Sequence, residues 1–245
     1  MLQQQTLSKL HDLRLPGMAR AFEEEFSRGD ATTLTFAERF ALLVEREWAE
    51  REERRLLRRL RAAHLRQTAS LEDVDFRHPR GLSREVYLEL AGGDFLRAHR
   101  NLILCGPTGV GKTYLACALA DRLLRQGCSA RYVRLPRLLF ELSLARADGS
   151  LLKVLGQLAK VDLLLLDDFG LARLEGQSQH DLLEVIDDRA GRASTLVTSQ
   201  LPVAEWHALF ADPTVAEAVL DRLVHQAVKL TLKGGSLRKE MPSEH

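Results

Sequence analysis

One octet in this chain has the residue types and spacing of a phosphate cradle: Gly106-Pro107-Thr108-Gly109-Val110-Gly111-Lys112-Thr113. It reads G-x-x-x-x-G-K-T, the P-loop pattern. The glycines let the backbone curl so that successive N–H groups face phosphate oxygens. Lys112 places a point charge on the β- and γ-phosphates. Thr113 offers a hydroxyl to Mg²⁺ at the start of a helix whose dipole also favours anions. An ordinary glycine-rich turn does not explain Lys112-Thr113.

A second stretch supplies carboxylates. In Val161-Asp162-Leu163-Leu164-Leu165-Leu166-Asp167-Asp168-Phe169-Gly170 four leucines run into two acids, the Walker B pattern. A continuous apolar run belongs to a strand buried on both faces, and acids at its C-terminal edge lie where ligands bind in open α/β sheets. Asp167 is expected to hold Mg²⁺ together with Thr113. Asp168 stands where many P-loop ATPases place a glutamate that polarises the attacking water. Aspartate is one methylene shorter, so slow intrinsic turnover is expected. The competing reading is a capping or turn pair of carboxylates. A third stretch, Ser194-Thr195-Leu196-Val197-Thr198-Ser199-Gln200, is a strand with a polar end. Ser199 is the candidate for orienting water beside the γ-phosphate, with Thr198 as the alternative; a helix cap explains either hydroxyl equally cheaply.

These groups need elements to position them. Asn101–Cys105 reads as the buried strand before the loop. Tyr114–Arg125 reads as the helix after it, with Leu115, Leu119, Leu123 and Leu124 on its inner stripe. Ala130–Val133 is a second strand. Leu135–Ala147 and Leu151–Ala159 are helices, the latter turning Leu152, Leu155 and Leu158 inward. Asp181–Arg189 is an acidic helix with Leu182, Leu183 and Ile186 inward. Another helix starts in Pro202–Phe210, Asp212-Pro213-Thr214 is a turn, Val215–Gln226 is a helix, and Val228–Leu232 alternates as a fifth strand. Upstream, Ser83 caps a helix over Val86–Leu90.

Residues 1–70 read as helical throughout. Pro16-Gly17 and Gly29-Asp30 mark breaks. Thr35 with Glu38 forms a capping box for a longer helix that carries Phe36, Phe40, Leu43, Val44 and Trp48 on one face. That helix becomes arginine-rich from Arg51 to Arg66. The cluster fits either a DNA-backbone or partner contact, or a solvated face tied by Glu47–Arg51 and Glu50–Arg54 pairs. The resulting division is a helical N-terminal domain over 1–70, a linker over 71–81 and an ATPase domain over 82–245.

Composition narrows the field. The net charge is +1, so no global polycation signal marks a nucleic-acid binder. The three cysteines, Cys105, Cys117 and Cys128, read as thiols in a reducing cytosol, and no His/Cys cluster has zinc spacing. No signal peptide or membrane-length apolar run is present, so a cytoplasmic protein without a membrane partner is expected.

The motifs GPTGVGKT, LLLLDDFG, STLVTSQLP, DRL and GGSLRK, in this order, resemble IstB, the helper ATPase of IS21-type transposition. The resemblance extends to DnaC-type helicase loaders within the AAA+ superfamily. It is strong over about residues 82–240; the helical N-terminal part resembles IstB in length and character. It implies an α/β AAA+ core with a five-stranded parallel sheet in order 5-1-4-3-2 and a much reduced C-terminal lid. It implies that Arg222 is an arginine finger reaching the γ-phosphate of a neighbouring subunit, and that Arg238 is the sensor 2 residue contacting the nucleotide in its own subunit. A finger in trans is worth roughly 10³–10⁵ in rate where it operates. The other reading of Arg222 is an intrachain ion pair with Asp221 or Glu217.

The activity implied is ATP hydrolysis with Mg²⁺, slow alone and stimulated by oligomerisation, DNA or a partner. The partners implied are double-stranded DNA, an IS21-type, IstA-like transposase and further copies of the chain across nucleotide-bridged interfaces. Arg131, Arg134, Arg137, Arg146 and Arg173 are further candidates for DNA contact. A helicase loader is the alternative, weakened because the N-terminal part has no cysteine-rich zinc module. A small-molecule kinase would share the P-loop but has no use for a finger at Arg222.

Overall fold

The computed structural model describes residues 2–27 and 34–237. The expected break at Gly29-Asp30 lies outside them. Contacts divide the chain into two compact units, Met1–Arg58 and Arg59–His245.

The first unit is helical. α1 spans Leu2–Asp12, α2 Pro16–Ser27, and α3 Phe36–Ala63, the last crossing the division. The Thr35–Glu38 capping box forms: Glu38 N–H donates to Thr35 Oγ1 at 3.3 Å, and Thr35 N–H donates to Glu38 Oε2 at 2.7 Å. Pro16-Gly17 opens α2 rather than forming a separate turn; the reversal is made by Arg14, at φ 58°. Gly17 is required by packing, since a Cβ there would sit 2.9 Å from Glu47 Cα. Glu47, 6% exposed, accepts from the N–H groups of Gly17 and Met18 at 2.8 and 3.2 Å and thereby closes the start of α2. On the apolar face read from the sequence, Phe36, Phe40, Val44 and Trp48 are all exposed.

The second unit is a three-layer α/β domain. Its sheet holds β1 (Leu102–Cys105), β2 (Ala130–Arg134), β3 (Leu163–Phe169), β4 (Ser194–Ser199) and β5 (Val228–Thr231). All pairings are parallel, and the order β5-β1-β4-β3-β2 is the one expected. Side-chain alternation splits the core between two faces. Leu102, Leu104, Leu163, Leu165 and Leu196 pack under α4 (Arg84–Ala91), α5 (Asp94–Arg97) and α6 (Lys112–Arg125). Ile103, Cys105, Leu164, Leu166 and Val197 pack under α7 (Leu135–Ala147), α8 (Leu151–Lys160), α9 (Gln177–Arg189), a 3₁₀ helix (Val203–Leu209) and α10 (Pro213–Val224).

Several boundaries differ from the sequence reading, each for a local reason. The division between units falls at Arg58/Arg59 rather than at residue 70, because Ala63, Ala69, Val74 and Leu82 are buried in the domain core. Residues 71–81 therefore pack as part of that domain instead of linking to it. Leu152, expected inward, is 83% exposed; Leu155 and Leu158 alone carry the inner face of α8 as fully buried residues. Asp212 is a helix cap, accepting from Thr214 N–H at 2.8 Å and Val215 N–H at 3.3 Å with Pro213 in the first turn. Among the described residues no helix is long and apolar enough to cross a membrane.

Candidate functional site

The P-loop leaves β1 and enters α6 with Gly109 at φ 84° and Gly111 at φ 93°, backbone that L side chains rarely adopt. Gly109 is crowded as well: a Cβ would lie 2.6 Å from Ser236 Cβ. Lys112 Nζ donates to Gly106 O at 2.7 Å and Pro107 O at 2.9 Å, so the ammonium bridges the loop's own carbonyls. Burial pulls its pKa down, and the negative charges of Asp167 and Asp168 act against that pull.

The acidic pair ends β3 at a bulge, where the register to β4 shifts between Leu166 and Phe169. Asp168 sits there at φ 62°, an uncommon conformation for a residue other than glycine. Asp167 is 3% exposed and surrounded by hydroxyls. Thr113 Oγ1 lies 3.1 Å from both carboxylate oxygens, Tyr132 Oη donates at 2.6 Å, and Thr198 Oγ1 donates to Oδ1. Burial, then the hydrogen bond to Asp167, pushes the Tyr132 phenol well up. A hydroxyl and a carboxylate facing each other are hard oxygen donors, which is what Mg²⁺ takes, usually alongside waters and substrate phosphates. The residues thus fit the ion.

The polar end of β4 divides its work. Ser199, proposed from sequence as the water-orienting residue, has its hydroxyl turned to backbone: it donates to Phe169 O at 2.7 Å and accepts from Leu201 N–H at 3.1 Å. Thr198, the alternative, touches Asp167 and accepts from Asp168 N–H at 3.3 Å. Gln200 accepts from Thr108 Oγ1 at 2.7 Å, tying the strand end to the P-loop.

These groups line one cavity of about 360 Å³. Sequence reading missed part of its wall. Arg66, Gln67, Asp73, Asp75 and Arg80, from the stretch after α3, line it together with Tyr114 of α6 and Leu237. Tyr132 was also missed; its signal was its place beside Walker B, since β2 pairs with β3 and aligns Tyr132 with Leu165 and Arg134 with Asp167. Arg238 lies outside the described residues. Its neighbour Leu237 donates its N–H to Gly109 O at 3.0 Å.

Arg222 is elsewhere. Asn101, just before β1, donates to Arg222 O at 2.9 Å and Leu223 O at 3.2 Å. The P-loop follows the other end of β1, so the Arg222 backbone is at the opposite end of that strand, roughly 13 Å away at ordinary strand rise. Its guanidinium pairs with Asp187 at 2.6 Å, so the intrachain partner is on α9 and is neither Asp221 nor Glu217. Arg222 is half-buried and Asp187 exposed, and solvent reaching the pair keeps it weak.

The remaining arginines sort by partner. Arg131 and Arg137 pair with Glu141, Arg146 with Asp181, and Arg134 with Asp168. Of the earlier cluster, Arg51 pairs with Glu47 as expected, but Arg54 also turns to Glu47, while Glu50 pairs with Arg20. Arg59 donates to Leu124 O at 3.0 Å. Cys105 and Cys117 are buried thiols whose pKa burial raises.

A parallel sheet in this order, with a P-loop after β1, an acidic pair ending β3 and hydroxyls ending β4, defines an AAA+ nucleoside-triphosphate-binding domain. The chain belongs to the IstB-like ATP binding protein family, whose pattern matches residues 8–245. It is 51% identical over 239 residues to an insertion-sequence ATP-binding protein of Sinorhizobium fredii, covering 98% of each chain. It is 55% identical over 203 residues to an ATP-binding protein of insertion sequence IS1162 from Pseudomonas fluorescens, covering 82% of this chain and 88% of that one. Among solved structures it is similar to DnaI, with a TM-score of 0.59 and 26% identity, over 69% of this chain and 92% of that chain.

Proposed function

We propose that this protein is an ATP-dependent regulator of IS21-type DNA transposition, which oligomerises on double-stranded DNA, engages an IstA-like transposase and is reset by ATP hydrolysis. Within the site, Lys112 and the Gly106–Thr113 backbone bind the phosphates, and Thr113 with Asp167 holds Mg²⁺. The bound ion neutralises charge on the β- and γ-phosphates. Asp168 orients the attacking water and accepts its proton. Thr198 keeps Asp167 and the Asp168 backbone in place, a position nearer the reaction than that of Ser199. Arg238 serves as a contact within the subunit.

The observation that carries the reading is the place of Arg222. Its backbone lies at the end of β1 opposite the P-loop, away from the nucleotide of its own chain, and its half-buried guanidinium, held by Asp187, is where a stacked neighbour's nucleotide would meet it. Hydrolysis then requires assembly, and assembly and ATP binding reinforce each other. The extent of the family match favours transposition over helicase loading, because it includes the helical N-terminal part, whereas the likeness to DnaI covers 69% of the chain. Exposed Arg173 is the stronger DNA candidate, since Arg134 is engaged with Asp168 and Arg137 with Glu141. A neutral chain binds DNA adequately if an oligomer lines up a few basic residues from each subunit.

The test is solution mass with a non-hydrolysable ATP analogue and a long duplex. Large assemblies should need both, and Lys112→Ala and Arg222→Ala should each fail to form them. A protein that stays monomeric while hydrolysing ATP without DNA overturns the proposal.

A further inference from the structure

The wall formed by the stretch after α3 holds two arginines with no part in the P-loop pattern. Arg66 lies near the Tyr132 hydroxyl and close enough to Asp167 and Asp168 to be influenced by both charges. It lines the same cavity as Lys112 and Thr113 and is exposed there. Arg80 lines it too but is 3% exposed. Its Nη1 donates to Val110 O at 3.4 Å and its Nη2 to Asp75 O at 2.8 Å, while its Nε is buried without an acceptor. A Cβ on Gly111 would meet Arg80 Nη1 at 2.8 Å, so the guanidinium lies directly against the phosphate-binding backbone.

A buried charge is costly unless an opposite charge or a full set of hydrogen bonds compensates it. Arg80 bonds only neutral carbonyls and keeps one unmet donor, with the Asp75 charge nearby as a partial compensation. Arg66 is exposed and turns its charge to the cavity near a phenol and two carboxylates. An anion in the cavity completes both environments. We propose that Arg66 and Arg80 are nucleotide-binding residues, Arg66 acting on the γ-phosphate end and Arg80 on the phosphates that ATP and ADP share. This rests on the reading of the cavity as the ATP site.

The division of labour follows from position. Thr113 and Asp167 mark the metal and γ-phosphate end, and Arg66 reaches it through Tyr132. Val110 and Gly111 belong to the part of the loop that wraps the inner phosphates, and Arg80 backs them. The stretch also continues directly from the helix Phe36–Ala63, ending at His64 with φ 50°.

The experiment is calorimetric titration of the full chain with ATP and with ADP, each with magnesium, using folded variants. Arg66→Gln should weaken ATP on the order of tenfold, the loss of one charge-assisted hydrogen bond, and ADP distinctly less. Arg80→Lys, which keeps the charge but loses the fork, should weaken both alike and leave their ratio unchanged. Tyr132→Phe should retain the preference for ATP. Wild-type ATP affinity in Arg66→Gln, or a Tyr132→Phe that reproduces its loss, overturns the role of Arg66. Wild-type binding of both nucleotides by Arg80→Lys overturns that of Arg80. Lys112→Ala separates the two levels. If it abolishes binding while the arginine variants bind normally, the wall assignment fails and the site stands. If Lys112→Ala itself binds like wild type, the ATP-site reading fails.

Discussion

Asp167 accepts hydrogen bonds from three hydroxyls, on α6, β2 and β4, and this sets which residues near it matter. Thr198 and Ser199 are adjacent, equally buried and chemically alike, yet only Thr198 faces the carboxylate. Thr198→Val should lower the ATP hydrolysis rate on the order of tenfold or more while leaving ATP binding nearly intact, because it disturbs the acid and the Asp168 backbone together. Ser199→Ala should act mainly through stability, costing about 1 kcal/mol by removing a bond to Phe169 O. Steady-state hydrolysis beside urea denaturation separates the two. Equal loss of rate in both variants would return Ser199 to the reaction.

At the scale of elements, two buried ionic side chains hold helices in place. Arg189 ends α9 and donates to Leu158 O, Val161 O at 2.9 Å, Thr195 Oγ1 at 3.1 Å and Ser194 O, so it joins the ends of α8, β3 and β4. Burial lowers its pKa to about 10, still far above neutral pH. Arg189→Met leaves several acceptors without donors and should cost about 3 kcal/mol or more in urea unfolding. In the first unit, burial would raise the Glu47 pKa, but hydrogen bonds from Arg51, Met18 N–H and Gly17 N–H outweigh it and the net shift is downward. A carboxylate depressed on folding adds stability that is present above its unfolded pKa and is lost as pH falls through the folded value. The helical unit should therefore loosen as pH drops below about 4, the ordinary glutamate range. Helical circular dichroism against pH checks this, and Glu47→Gln should flatten the dependence.

At the scale of the whole molecule, Arg222 and the P-loop lie at opposite ends of β1, so on the proposed trans reading one subunit would hold halves of two different sites. Lys112→Ala keeps its finger and loses its loop; Arg222→Ala keeps its loop and loses its finger. Each alone should fall by at least about 10³ in ATP hydrolysis if the finger acts in trans. Mixing them should restore a measurable fraction of the rate, because some interfaces pair an intact loop with an intact finger. No recovery on mixing, with both variants folded, would leave Arg222 with only its structural pair to Asp187.

Short-range patterns carried much of this protein in its sequence. The P-loop, the leucine run into Asp167-Asp168 and the alternation of β5 each depend on local spacing, and so they located the strands and the loop, while the strand order came from the family resemblance. The capping box at Thr35 and Glu38 was legible for the same reason. Tertiary structure alone decided what depends on non-local pairing. Tyr132 reaches Asp167 because β2 lies beside β3. Thr198 rather than Ser199 meets that acid because alternation along β4, set by its register, turns one side chain to it and the next away. Residues 71–81 read as a link, yet burial of Val74 and Arg80 makes them a wall of the nucleotide cavity. Such packing joins residues far apart in the chain, and no local spacing encodes it.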